Sequence, residues 1–357
     1  MTCGALEAGA EVIIAVDSDP TPLKVLGANA PRTATVVATL GKGPNDVSIP
    51  LAAPDLHVHV SRMLCGAEVS QSVGARAHVP PVPWRWQMST PCTELSVARR
   101  CASADTAAGL QMLRWAVRLV LERNERSWSL ENVPTKATRA LMVELAAADP
   151  ERVAWGVFDS ADFGAPQSRR RLIAGPPELI RMLQGIPSAR RVSMRDAFDK
   201  EGVQLPALYC KNQTRSQNGG PTMRGVETQS FTVCAGHPLT WCDANGKTVR
   251  VMTARDGAVL MGFPSTWALP TGSRAAQRAV GNAVCVALSK AIVLAAIAVQ
   301  KGDASVPGEA LAAPTPSPAP TKRRFELTHA QYRRLHRRVD GLERILSTQH
   351  ISHNLLD

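Results

Sequence analysis

The run Val12-Ile13-Ile14-Ala15-Val16, followed directly by Asp17-Ser18-Asp19-Pro20, decides the expected fold of this chain. A continuous apolar run rich in β-branched residues is typical of a parallel strand that is buried on both faces. The acidic residues mark the carboxyl end of that strand, and residues 22–29 carry a helical pattern. The beginning of the chain therefore predicts a strand followed by a helix.

The same alternation continues through the first half of the chain. Residues 35–38 and 56–60 predict two more buried strands, and residues 103–125 and 136–148 predict helices. This order predicts the fold class α/β, with an open, doubly wound (Rossmann-like) sheet that forms a main domain over residues 1–192. Ligands of such sheets bind outside the carboxyl ends of the strands.

A different pattern occupies residues 193–250. Turn signals such as Gly219-Gly220 and Asn245-Gly246 separate short β-like pieces, of which residues 230–233 are one. This pattern predicts a small β-rich subdomain. Two helical patterns then return the chain to the main domain over residues 251–300, at residues 254–261 and 281–299.

The end of the chain has its own composition. Residues 301–323 are rich in Ala and Pro, which predicts a disordered, semi-rigid linker. Residues 324–357 predict a basic helix with one apolar stripe, to which Leu335, Val339 and Leu342 belong. Three roles stay open for this helix: self-association, contact with DNA, or docking on its own domain.

Composition narrows the class of partner and the compartment. The 357 residues include 41 Lys and Arg against 30 Asp and Glu, a formal charge of +11, which suits a polyanionic partner but also fits a protein with a basic tail. The eight cysteines form no C-x-x-C pair, so the sequence predicts free thiols, a reducing compartment and no metal site. No secretory signal and no apolar run of about 18 residues are apparent, so we expect an intracellular protein that does not span a membrane.

Four separated motifs carry the candidate chemistry. Taken alone, each motif is weak evidence. The first three could be, in order, a loop with a buried thiol, a strand end and a solvated basic turn. The motifs are Thr90-Pro91-Cys92-Thr93-Glu94-Leu95-Ser96, Glu131-Asn132-Val133-Pro134, Asp162-Phe163-Gly164-Ala165-Pro166-Gln167-Ser168-Arg169-Arg170-Arg171 and Gly281-Asn282-Ala283-Val284.

In this order, and with Gly262-Phe263-Pro264 and Trp267 before the last motif, the chain resembles the cytosine-C5 DNA methyltransferase family over roughly residues 1–299. The resemblance implies an S-adenosylmethionine-dependent methyltransferase sheet with a target-recognition subdomain at residues 193–250. It also implies double-stranded DNA as the substrate, from which the target cytosine is flipped out because carbon 6 is unreachable within a duplex. The protein is then expected where the DNA is.

The resemblance also implies a role for each motif residue. Carbon 5 of cytosine is a poor nucleophile until a thiolate adds to carbon 6, and Cys92 matches that thiol. Glu131 matches the acid that protonates or hydrogen-bonds ring N3, and Asn132 would hold the strand end. Arg171 matches the arginine that steadies the base and the cysteine loop, while Arg169 and Gln167 would brace the site.

Cofactor and DNA contacts follow from the same resemblance. Asp17 ends a strand, where an acidic residue commonly binds ribose hydroxyls in nucleotide-binding folds. The implied cofactor-binding residues are Asp17, Ser18, Pro91, Leu95, Asn282, Ala283 and Val284. The implied DNA-binding residues are Ser96, Gln167 and Arg224.

Two features depart from the family pattern. Residues 1–9 resemble the helix that follows a Phe-x-Gly-x-Gly loop, but the preceding strand and its glycines are not in this sequence, and Thr39-Leu40 replaces an acidic residue followed by Ile or Leu. This apparent truncation leaves two alternatives: either the start codon is assigned too late, or the protein binds its cofactor poorly. Residues 61–88 have no counterpart, which predicts an insertion: either a translated intron or a loop that places Trp84-Arg85-Trp86 over the DNA.

Two other functions compete with the leading one. A DNA-binding relative with impaired catalysis would keep Cys92 but lack a complete cofactor site. An RNA cytosine methyltransferase would use the same scaffold, but the Cys-Phe-Thr signature of the tRNA-acting branch is absent.

Overall fold

The structure of the protein is a computed structural model that describes residues 1–12, 14–17, 19–37, 85–92, 95, 106–205, 207–212 and 223–302. The chain divides into two units, Met1–Ala312 and Ala313–Asp357, and every described residue belongs to the first unit. The predicted C-terminal helix, the linker beyond residue 302, the strand at 56–60 and residues 61–84 of the predicted insertion lie outside the described residues.

The N-terminal region forms two parallel strands with a helix between them. Strands β1 and β2 pair with Ile14 opposite Ala34. The Asp19 side chain accepts a hydrogen bond from the Thr21 amide at the start of the second helix, which explains why the helix begins there. The elements are α1 (Thr2–Glu7), β1 (Ile14–Asp17), α2 (Pro20–Asn29) and β2 (Ala34–Val37). This confirms the predicted strand–helix–strand order.

A four-stranded sheet forms the centre of the domain, in the order β3-β4-β6-β5. Strands β3 and β4 are parallel, whereas β6 is antiparallel to both β4 and β5. The strands are β3 (Trp86–Ser89), β4 (Trp128–Asn132), β5 (Ala154–Asp159) and β6 (Arg170–Gly175). The neighbouring helices are α3 (Thr106–Glu122), α4 (Lys136–Ala148) and α5 (Pro177–Gly185).

Helices cover both faces of this sheet, because alternate strand residues point to opposite faces. On one face Trp128, Leu130 and Leu172 pack with buried residues of α3 and α4. On the other face Phe158 and Ile173 pack with residues of α5 and of the last described helix. The predicted α/β fold with helices on both sides of the sheet is therefore confirmed.

The predicted insertion, residues 61–88, does not loop out over its whole length, because its last residues belong to the central sheet. Trp86–Ser89 is strand β3, and Trp86 pairs with Trp128 in the central sheet. Trp86 and Met88 pack against the core formed with α3 and α4, so Trp86 is not placed for a loop over DNA. A window of four residues shows too little periodicity to reveal a strand, and the pairing with β4 decides it.

The subdomain after residue 193 is a small antiparallel sheet of order β10-β9-β7-β8. Its core contains Trp241, which meets the Phe198 ring edge to face at 5.5 Å. Residues 230–233, predicted as β-like, form no strand; the bridge between Gln167 and Ser230 is the ladder contact there. The elements are α6 (Met194–Lys200), β7 (Tyr209–Lys211), β8 (Met223–Gly225), β9 (Thr240–Cys242) and β10 (Thr248–Val251).

The chain returns to the central sheet through α7 (Ala254–Leu260), α8 (Ser273–Asn282) and α9 (Val286–Gln300). The predicted single helix at 281–299 is therefore wrong at its start, since Ala283 is extended and separates α8 from α9. Among the described residues, Ser273–Gln300 is the stretch long and apolar enough to cross a membrane. This is weak evidence for a span, because 61% of its most apolar window is buried inside the protein, as in a core helix.

Gly281 allows α8 to approach the backbone of a neighbouring segment. An added Cβ would lie 2.2 Å from the Ala235 nitrogen and 2.4 Å from the carbonyl carbon of Cys234. No side chain fits at that distance from backbone, so the end of α8 can pack there only with glycine.

We expect Gly281→Ala to lower the stability of the protein by about 1–3 kcal/mol, the usual cost of overpacking. Without this clash, alanine would stabilise a helical position by about 1 kcal/mol, so the sign of the effect is diagnostic. The urea midpoint measures it. Gly236→Ala is the control, because an added Cβ there meets nothing within 4 Å. An unchanged or raised midpoint for Gly281→Ala would contradict the packing.

Candidate active site

The Cys92 loop begins where β3 ends. Because β3 and β4 are parallel with Ser89 opposite Glu131, the chain leaves both strands at the same edge of the sheet. Cys92 is partly exposed and Pro91 is exposed. The Leu95 amide donates to the Cys92 carbonyl at 3.1 Å, and the Leu95 side chain is buried, which anchors this turn.

The carboxylate of Glu131 is held from both neighbouring strands. Its side chain is 8% exposed, and Arg171 of β6 approaches it with 2.8 Å between Nε and Oε1. The Ser89 hydroxyl of β3 donates to the other oxygen, Oε2, at 2.7 Å. Both oxygens of the acid are therefore engaged, and the charge of Arg171 compensates that of Glu131.

Asn132 ties the Cys92 loop to the end of β4. Its Nδ2 donates to the Thr90 hydroxyl at 2.7 Å, and its Oδ1 accepts from the Val133 amide at 2.7 Å. Asn132 is fully buried, so these bonds are shielded from water. This placement agrees with the predicted role of Asn132 in holding the strand end.

The Cys92 thiol lies in a mixed electrostatic environment. Burial raises the pKa of Cys92 first, and the negative charge of Glu131 raises it further, whereas Arg171 and Arg169 lower it. The groups predicted to act on one base are therefore close enough to influence one another. In the resting site the thiol form is favoured, because the two raising causes are the largest.

Arg169 is a buried brace. Its Nη1 donates to the Val233 carbonyl at 2.8 Å, and its Nη2 donates to the carbonyls of Gly281 and Ala283 at 2.8 and 2.9 Å. Burial lowers the pKa of Arg169 to about 10, so the guanidinium is still charged at neutral pH. The bracing role predicted for Arg169 fits this geometry. A catalytic role for Arg169 stays a prediction.

Gln167 is fully buried, which does not agree with its prediction as a DNA-binding residue. Its Nε2 donates to the Leu260 carbonyl at 3.1 Å, and its Oε1 accepts from the Val233 amide at 2.7 Å. Both ends of the amide are therefore used inside the protein. The correction follows from tertiary packing: Gln167 braces the site, and a buried, satisfied amide has no surface to offer a phosphate or base.

Arg224 makes its contacts within the small β subdomain after residue 193. Its Nη1 donates to the Ser230 carbonyl at 2.9 Å, and its guanidinium stacks on the Phe231 ring at 4.2 Å from the centroid. These contacts orient the segment after β8. Contact of the remaining guanidinium nitrogens with DNA stays a prediction.

The predicted cofactor residues lie at two places. Asp17 is exposed at the carboxyl end of β1, where its Oδ1 accepts from the Asp19 amide at 2.9 Å. Hydrogen bonds from Thr21 lower the pKa of the Asp19 carboxyl, with a smaller contribution from Arg278 of α8. Asn282 is exposed at the end of α8, followed by half-buried Ala283 and buried Val284, whereas Ser18 and Ser96 lie outside the described residues.

Comparison with known proteins bears on both sequence and fold. A family model for the C-5 cytosine-specific DNA methylase matches residues 186–298. A structure described as a DNA modification methyltransferase encoded within an E. coli prophage has a TM-score of 0.55 and 15% identity, covering 84% of this chain and 96% of its own. The S. pombe Dnmt2 methyltransferase has a TM-score of 0.50 and 16% identity, covering 84% and 95%. No curated protein sequence matches.

The match to the family model covers residues 186–298, less than half of the chain, and supports the predicted family over that stretch. The matched residues contain the small β subdomain after residue 193 and the motif at 281–284, whereas Cys92 and Glu131 precede them. At these identities the solved structures show a shared fold. The α/β class predicted from the sequence is therefore confirmed, while the roles of individual residues stay predictions.

Two residues of this candidate site are not predicted from the sequence. Ser89 and Thr90 hold Glu131 and Asn132 by hydrogen bonds. Their position just before Pro91-Cys92 was a signal. Their partners could not be inferred, because the pairing of β3 with β4 brings together residues 42 positions apart. Among the described residues, no group of three His, Cys, Asp or Glu side chains could hold a metal ion.

We expect Glu131→Gln to lower the pKa of Cys92, because it removes a negative charge that raises it and leaves Arg171 unpaired beside the thiol. The measurement is the pH dependence of iodoacetamide alkylation at Cys92, followed on the Cys92 peptide by mass spectrometry. The alkylation midpoint should move to lower pH.

Glu144→Gln is the control, since Glu144 is an exposed acid paired with Arg114 and is not among the groups that act on Cys92. A midpoint that stays in place for Glu131→Gln, or rises, would show that Glu131 does not act on the thiol.

Proposed function

We propose that this protein is an S-adenosylmethionine-dependent DNA (cytosine-5)-methyltransferase that acts through a covalent Cys92 adduct. The observation that carries the proposal is the meeting of the Cys92 loop with the Glu131–Arg171 ion pair at the carboxyl ends of β3 and β4. A nucleophile, an acid and a cation at one strand edge are what addition to a pyrimidine ring requires.

Cys92 and Glu131 account for the proton that moves during the addition. The thiolate sulfur forms a bond to carbon 6, the electrons of the 5,6 double bond form a 4,5 double bond, and the electrons of the 3,4 double bond move onto N3. The ring needs a proton or a hydrogen bond at N3, and the thiol must lose one proton. Glu131, which is near enough for its charge to act on the thiol, can take that proton and deliver it to N3.

Arg171 orients the acid during these steps. Its Nε holds Oε1 of Glu131 and its Nη1 donates to the Arg170 carbonyl at 2.8 Å, which leaves Nη2 to meet the oxygen of the base. When carbon 5 takes the methyl group, N3 returns its proton to Glu131. Carbon 5 then gives its proton to solvent water, the electrons of that C–H bond re-form the 5,6 double bond, and the bond between Cys92 and carbon 6 breaks as the thiolate leaves. Bound S-adenosylmethionine would supply the electrophilic methyl group.

The residues present fit the nucleoside half of that cofactor. Asp17 offers an exposed carboxylate at a strand end, a suitable acceptor for ribose hydroxyls. Leu95 and Val284 are buried apolar side chains that suit the base, and Asn282 offers an exposed amide.

The proposed partner is double-stranded DNA, and the proposed location is wherever the cell keeps its DNA. The net charge of +11 supports a polyanionic partner. The family match, which covers the recognition subdomain, supports DNA in particular. The subdomain follows directly after the sheet that carries Glu131 and Arg171, so target recognition and chemistry are adjacent in the chain.

The test uses the full chain with methyl-labelled S-adenosylmethionine and a cytosine-rich duplex. Label should enter the duplex, and 5-fluorocytosine DNA should trap a covalent adduct that is visible on a denaturing gel, because fluorine cannot leave as the carbon 5 proton does. Cys92→Ser should abolish both signals. Cys234→Ser should keep both, since Cys234 is the other partly exposed cysteine among the described residues.

Three outcomes would contradict the proposal in different ways. An adduct that persists in Cys92→Ser would show that the nucleophile is wrong. Duplex binding without labelling would favour the DNA-binding relative with an incomplete cofactor site. Labelling of tRNA in place of DNA would favour the RNA methyltransferase.

A further inference from the structure

Ser89 occupies a position that no motif assignment explains. It is the last residue of β3, it stands opposite Glu131 in the parallel register, and it lies three residues before Cys92. Its hydroxyl donates to Oε2 of Glu131 at 2.7 Å. One residue therefore touches the acid through its side chain and continues into the nucleophile loop through its backbone.

The strand order explains why this contact matters for orientation. In the order β3-β4-β6, Glu131 lies on the middle strand, with Ser89 on one side and Arg171 on the other. Arg171 binds Oε1, whereas Ser89 binds Oε2. A single bond to Oε1 would leave the carboxyl plane free to turn, whereas two bonds from opposite strands fix that plane.

The hydroxyl also differs from the guanidinium in what it can do. A guanidinium is only a donor, but a serine hydroxyl can donate to a carboxylate and accept from a carboxylic acid. Arg171 can therefore only donate to Oε1 of Glu131. Ser89 can remain bonded to Oε2 in either protonation state by reversing the direction of its hydrogen bond.

We propose that Ser89 is a positioning residue, whose hydroxyl holds Glu131 in one orientation and keeps that orientation when the acid gains a proton. The catalytic part of this inference rests on the proposed function, since a fixed acid is useful only if it delivers a proton to the base. The structural part, a Glu131 carboxyl plane that the Ser89 hydroxyl fixes, can be observed without turnover.

The first experiment is therefore a comparison of crystal structures of the parent, Ser89→Ala and Ser89→Thr. In Ser89→Ala only the bond from Arg171 to Oε1 remains, so the carboxyl plane of Glu131 should turn from its parent orientation or occupy more than one. Ser89→Thr keeps the hydroxyl and should restore the parent orientation.

The second experiment measures turnover on the cytosine-rich duplex. Ser89→Ala should lower kcat about tenfold, with KM for DNA unchanged, because a lost hydrogen bond of this kind is worth about that factor. Ser89→Thr, which keeps the hydroxyl, should restore kcat. Ser127→Ala is the control, because Ser127 precedes the opposite end of β4, where its hydroxyl accepts from Gln300 at 3.0 Å.

The outcomes separate this inference from the proposed function. A Glu131 carboxyl plane that turns in Ser89→Ala while no protein, including the parent, methylates DNA would retain the Ser89 contact and refute the methyltransferase proposal. A Glu131 carboxyl that keeps its parent orientation in Ser89→Ala would overturn the inference, whatever the activity. A fall in activity that Ser89→Thr does not restore would show that the hydroxyl is not the group that acts.

Discussion

One buried cation connects the parts of this protein on which the site depends. Arg169 donates to carbonyls that lie 64, 112 and 114 residues further along the chain, at Val233, Gly281 and Ala283. Burying a guanidinium costs several kcal/mol unless its hydrogens are accepted, so moving any of these carbonyls away from Arg169 would destabilise the protein. Arg169 therefore holds the central sheet, the small β subdomain and the end of α8 in one arrangement.

The same constraint explains the break between α8 and α9. The last carbonyls of a helix have no partner within it, and they carry the negative end of the helix dipole. Arg169 satisfies two such carbonyls at the end of α8, where Ala283 turns to an extended conformation. The approach requires Gly281, because a side chain there would collide with the backbone at Ala235. A basic residue, a helix end and a glycine thus form one unit.

Strand β4 shows how a single strand can serve both stability and chemistry. Trp128 and Leu130 point into the core under α3 and α4, while Glu131 points the other way, toward Ser89 and Arg171. Glu131 is almost fully buried, which is tolerated because each of its oxygens has a partner from a neighbouring strand. Burial and the negative charge of Glu131 raise the pKa of Cys92, whereas Arg171 and Arg169 lower it. The charge of Glu131 therefore acts on the thiol before any substrate binds.

The α/β class and the resemblance to cytosine methyltransferases could both be predicted from the sequence alone. The apolar run at residues 12–16 predicted β1, the pattern at 136–148 matched α4 at both ends, and the motifs around Cys92 and Glu131 pointed to cytosine methylation. These features are local, because strand and helix periods, caps and motif residues can be read over a few positions. Only the tertiary structure decided that Trp86–Ser89 is a strand of the central sheet, that Gln167 is buried, and that Ser89 holds Glu131. Each depends on residues far apart in the chain meeting through strand pairing and burial, for which a local pattern carries no signal.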